Sequence, residues 1–202
     1  MRSNMKSRQM RDLIAQQAAR LMVEEGLRDY YAAKRKAALR VGAPGTRNMP
    51  RNTEVEAALQ SYQKLFYGDR QTARLRELRS EALEAMRFFE QFEPRLVGSV
   101  LTGTAGPFSD INLHLFTDVP EDVTIYLLEN HVPFETEQRR LRISRSRATD
   151  YPLLRFMAGE YAIEAIVFPL DGMRQAPFSP TDGRPMRRAA IDNVTRLLES
   201  TD

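Results

Sequence analysis

The segment from Tyr151 to Phe168 constrains the fold more than any other stretch of this 202-residue chain. Two runs rich in aromatic, aliphatic and β-branched residues, Tyr151 to Ala158 and Tyr161 to Phe168, are separated only by Gly159-Glu160. A two-residue loop with glycine first suits a type II′ turn, whose twist matches that of the flanking strands, so the pair reads as a hairpin of fixed register. Counting back from the turn, Ala158 faces Tyr161, Met157 faces Ala162, Phe156 faces Ile163 and Arg155 faces Glu164. A carboxylate inside the apolar run Ala162-Ile163-Glu164-Ala165-Ile166-Val167 requires a partner. The register supplies Arg155.

A second strand precedes the hairpin. From Asp110 to Leu115 polar and apolar residues alternate strictly, so Asp110, Asn112 and His114 share one face while Ile111, Leu113 and Leu115 share the other. The apolar back packs on a core and the polar front is presented for function. Upstream lies Gly98-Ser99, separated by nine residues from Ser109-Asp110-Ile111-Asn112-Leu113. Together these pieces resemble the signature of the nucleotidyltransferase fold of the DNA polymerase beta superfamily, which also holds antibiotic nucleotidyltransferases and small bacterial nucleotidyltransferase-like proteins. Its pattern is a Gly-Ser or Gly-Gly pair at a strand end, a short helix and loop, and then Asp-apolar-Asp-apolar. The resemblance covers roughly the half of the chain after residue 90, and it departs at Asn112, where the pattern has its second carboxylate.

The resemblance implies an α/β (α+β) fold with a mixed sheet flanked by helices. It also implies transfer of a nucleotidyl group from a nucleoside triphosphate to a hydroxyl with the help of Mg²⁺. Asp110, Asn112 and Glu164 would be the catalytic set, Glu164 standing for the third carboxylate on a later strand. Gly98, Ser99 and Arg155 would meet the substrate. Hard cations that activate a hydroxyl and neutralise a triphosphate take anionic oxygens, and Asn112 offers only a neutral carbonyl. His114 follows at the same two-residue step, and an imidazole suits Zn²⁺ or Mn²⁺ better than Mg²⁺. Asp110, Asn112, His114 and Glu164 are therefore the candidate metal ligands, as a variant site or as the remnant of one.

Two alternatives follow. Either Glu164 completes a cation site while Arg155 binds a substrate phosphate through its bidentate fork, or the two neutralise each other and no cation is needed. The corresponding functions are a metal-dependent transferase and a catalytically inactive relative that binds a nucleotide, RNA or a protein. Ser99, with Thr102, Gly103 and Thr104 near it, reads equally as a phosphate contact at a helix start or as a tight turn. Arg187 and Arg188 are candidates to approach the same cleft. No Ser-His-Asp order, phosphate-binding loop or Rossmann fingerprint is present.

Composition narrows the setting. Absence of cysteine excludes disulfides, thiolate zinc sites and a cysteine nucleophile. No apolar run approaches the roughly 20 residues of a membrane span, and the N-terminus lacks the apolar core of a signal peptide. The simplest expectation is a soluble cytoplasmic protein without membrane contact. Residues 1–50 hold eleven Lys and Arg against four Asp and Glu, whereas the remainder is net acidic. Those basic N-terminal helices are candidates for nucleic-acid contact through phosphates.

Along the chain the pattern predicts an N-terminal helical region, residues 1–90, and a nucleotidyltransferase-like domain, residues 91–202. Helix formers run from Arg8 to Ala38 with Met10, Ile14, Ala18, Leu21 and Met22 as a stripe and a break at Gly26. Val41 to Pro50 reads as a loop. Thr53 and Glu56 form a capping-box pattern opening a helix to Phe66, and a longer helix follows Asp69 to about Phe92. Later expectations are a helix from Pro120 to about Asn130, short strands near Val132 to Glu135 and Leu141 to Ser144, and a helix from Pro185 to Leu198.

Overall fold

The computed structural model describes residues 2–144 and 146–199. It forms two compact units, one of Met1–Thr72, Gly106–Ser109 and Pro180–Asp182, the other of Ala73–Ala105, Asp110–Ser179 and Gly183–Asp202.

The first unit contains α1 (Arg2–Glu24), α2 (Tyr30–Arg40) and α3 (Asn52–Phe66). As expected, the chain breaks at Gly26, which adopts φ +66°. Asp29 then caps α2, its carboxylate accepting from the Ala32 N–H at 2.7 Å. The core is narrow because it is rich in alanine: Ala18, Ala33 and Ala37 are fully buried with Ile14 and Val55. The start of α3 corrects the sequence reading. Arg51 is the N-cap, and Glu54 reaches back to the Arg51 N–H at 2.6 Å. Glu56, expected to close that box, lies further into the helix; burial, then the charge of Asp182, pushes its carboxyl above the usual range.

The second unit is the mixed α/β body. Most of α4 (Gly68–Phe88) belongs to it, followed by a 3-10 turn at Glu90–Phe92. Next come β1 (Arg95–Val97), α5 (Gly98–Thr102), β2 (Ile111–Phe116), α6 (Glu121–Glu129), β3 (Phe134–Arg142), β4 (Ala148–Ala158), β5 (Tyr161–Phe168) and α7 (Ile191–Glu199). The five strands form one sheet in the order β1-β2-β5-β4-β3. Only β2 and β5 run parallel; the other neighbours are antiparallel. Ile111, Leu113 and Leu115 turn their side chains to one face, where they meet Leu78 and Met86 of α4, Phe89 just after it, Leu127 of α6 and Val194 of α7 in the main core. The opposite face carries a smaller cluster of Phe116, Leu153, Ile166 and Phe168.

The hairpin register is as the turn dictates, from Ala158 opposite Tyr161 to Arg155 opposite Glu164. Two elements differ from expectation. The two short strands between Val132 and Ser144 are one nine-residue strand, β3, paired with β4 along its whole length. Its side chains are mostly exposed on both faces, so no apolar alternation announced it. The last helix begins only at Ile191, because Ala189 pairs with Leu96 and holds the preceding segment extended along β1. Arg187 and Arg188 therefore precede that helix. Among the described residues no helix is long and apolar enough to cross a membrane.

Candidate functional site

The site is assembled across the middle of the sheet. Val97, Asn112 and Glu164 stand side by side on β1, β2 and β5, and Arg155 faces Glu164 from β4. Gly98 leaves β1 with φ +74°, which side chains other than glycine rarely adopt. A Cβ there would lie 3.4 Å from Asn112 Nδ2, so the Gly98-Ser99 turn passes close to that amide. The amide itself donates to the Asp110 carbonyl at 3.1 Å. Ser99 sits in the first turn of α5, where its carbonyl accepts the Gly103 and Thr104 N–H groups.

Glu164 is buried, its side chain 9% exposed, and both its oxygens are committed. Oε1 accepts from Arg155 Nε at 2.9 Å and Nη2 at 2.7 Å, while Oε2 accepts from Arg139 Nη2 at 3.1 Å. Arg155 Nη1 continues to Glu137 Oε1 at 2.7 Å. The hydrogen bond to Glu164 raises the Arg155 guanidinium above its ordinary range, and the charges of Glu164, Glu137 and Asp110 act in the same direction. Arg155 was legible from the hairpin register. Arg139 and Glu137 were not, because they fell in the gap between two expected strands; only the β3–β4 pairing puts them on the face of Glu164.

His114 shares the face of Asn112 but sits in a different environment. It is 1% exposed, its ring centroid is 4.6 Å from that of Phe168, and its Nδ1 accepts from Arg188 Nε at 3.0 Å. Burial, then the Arg188 charge, holds the imidazole well below its usual value of 6.5. An acceptor at Nδ1 places the proton of the neutral ring on Nε2. Arg188 lies over the Phe116 and Phe168 rings at 4.9 and 5.1 Å, and its Nη1 donates to the Gly172 carbonyl at 2.7 Å. Burial lowers this guanidinium to about 10. The expected open polar front of β2 is thus closed at its His114 end, where the 3-10 turn Leu170–Met173 and the segment before α7 cover the sheet.

Gly98, Asn112, Glu164 and Arg155 therefore come together, Asp110 reaches them through its charge, and His114 stands apart. This donor set does not fit a divalent cation. Glu164 points its oxygens at two guanidinium groups, Asn112 contributes an amide, and His114 spends Nδ1 on Arg188. Among the described residues no group of three or more His, Asp or Glu is placed to hold one ion. Two arginines beside the carboxylate also repel a cation that would approach it.

The chain matches no protein-family model and no curated protein. Among solved structures it is similar to one described as a GLD-2/RNP-8 complex, at 20% identity and a TM-score of 0.28. That similarity covers 66% of this chain and 43% of the other, so the chain spans less than half of its length.

Proposed function

We propose that this protein is a nucleotidyltransferase-like binding module, one that takes a nucleotide at the Gly98-Ser99 turn without metal-dependent transfer. The observation that carries the reading is the state of Glu164, whose two oxygens are both held by guanidinium groups. In a transferase of this pattern that carboxylate would face a cation; here it fixes the two arginines. Arg139 and Arg155 keep 40% and 39% of their side chains exposed, on β3 and β4 and on the sheet face they share with Glu164 and Asn112, the residue that adjoins Gly98. Arg155 is held by Glu164 and Glu137 together, whereas Arg139, anchored by Glu164 through Nη2, is oriented to meet a phosphate with the rest of its fork. The departure of Asn112 supports the same reading, since an amide that donates to its own strand adds no negative charge.

Calorimetric titration with ATP or CTP tests it. The account predicts binding that Mg²⁺ and Mn²⁺ leave unchanged and that weakens in Arg139→Ala. Binding that requires the metal and disappears in Asp110→Ala would overturn it in favour of the transferase, and no binding under either condition would remove the nucleotide.

A further inference from the structure

The sheet ends in an unpaired edge whose charge pattern fits itself. β3 is the outer strand beyond β4, and among the described residues no other strand pairs with its far side. Ile143 N–H donates to the Arg147 carbonyl at 2.9 Å, so the backbone N–H of Ile143 is directed towards the other arm of the hairpin. Backbone groups alternate in direction along an antiparallel ladder. Those of Arg142, Arg140, Gln138, Thr136 and Phe134 therefore point away from β4. Consistent with this, the Arg142 carbonyl accepts from the Phe178 N–H at 2.8 Å, which covers that end of the edge. Upstream, Thr136, Gln138 and Arg140 are exposed.

Exposed edges of this length invite strand addition, and chains commonly block it with scattered or like charges. Here the signs are segregated: Glu135 and Glu137 precede Gln138, and Arg139, Arg140 and Arg142 follow it. We infer that β3 pairs antiparallel with β3 of a second copy of this chain, about a two-fold axis at Gln138, to make one continuous ten-stranded sheet.

In that register Gln138 faces Gln138 and Thr136 faces Arg140, so the outward N–H and C=O groups meet one another. Glu137 of each copy faces Arg139 of the other. These two residues are also the ends of the existing network, in which Arg139 binds Glu164, Glu164 binds Arg155 and Arg155 binds Glu137. Joining two copies extends it into an alternating chain of acids and bases with no like charges opposed. A one-residue slip would turn the core-facing side of one sheet to solvent, and a two-residue slip would set Glu137 against Glu137 or Arg139 against Arg139.

Sedimentation of the full chain across the micromolar range tests the interface, together with Gln138→Pro. Proline removes only an outward N–H and leaves the ladder to β4 intact, which is the edge position that tolerates it. The expected result is a reversible dimer whose dissociation constant rises roughly tenfold in the variant, two hydrogen bonds being lost per dimer. Hydrogen exchange in the unaltered chain gives a second reading that does not depend on the variant folding: the amides of Thr136, Gln138 and Arg140 should slow as concentration rises. A monomer at every concentration, a dimer indifferent to Gln138→Pro in a folded variant, or exchange at those amides that ignores concentration would each overturn the inference.

Discussion

The imidazole of His114 shows how strongly a single residue can depend on what closes over it. Its alternation with Asn112 put it on the polar face, but it is fully enclosed and accepts its hydrogen bond from a cation. An accepting Nδ1 has to stay deprotonated, so acid must break the Arg188 contact. The unfolded imidazole titrates near 6.5, and the folded one well below that value because of burial and Arg188. Between those two values the unfolded chain binds the additional proton, so stability is complete above pH 6.5 and declines as pH falls towards the folded value. Denaturant titrations should show a loss of up to about 1.4 kcal/mol per pH unit in that window. In His114→Asn, which keeps an acceptor but does not titrate, this component of the slope should vanish. An unchanged slope would contradict the assignment.

Among the elements, the loop that ends α6 offers a clear case of local strain. The Val132 N–H donates to the Leu127 carbonyl at 2.9 Å and the His131 N–H to the Leu128 carbonyl at 3.0 Å, the paired bonds of a Schellman motif. That motif puts His131 at φ +55°, a left-handed conformation in which a Cβ is unfavourable. His131→Gly should therefore raise stability by about 0.5–1 kcal/mol, read by thermal or chemical unfolding, after the unfolded-state cost of glycine is included. A loss would mean that the imidazole makes a contact worth more than the strain. Legibility in the sequence followed the same division between local and distant causes. The β4–β5 register was readable because two residues set it, and with it came the Arg155–Glu164 pair. β3 was not readable as one strand, since an outer strand with polar side chains on both faces has no apolar period. The start of α7 was misplaced for a non-local reason: pairing of Ala189 with Leu96, far away in sequence, outcompetes helix formation before Ile191.

At the scale of the whole molecule, the sequence conveyed the mixed α/β architecture and the strand that passes beside Gly98, but not the balance of charge at its centre. That balance rests on Arg139, which the β3–β4 pairing delivers, and on Asn112, whose missing charge leaves Glu164 to the arginines. The cation expected from the sequence and the two guanidinium groups that hold Glu164 meet at this one carboxylate. Titration with Mn²⁺, followed by calorimetry or by its electron paramagnetic resonance signal, addresses it most directly. The account predicts no saturable site in the unaltered protein, and none in Asn112→Asp while both guanidinium groups remain in place. Saturable Mn²⁺ binding by the unaltered protein, lost in Glu164→Gln or Asp110→Ala, would contradict it.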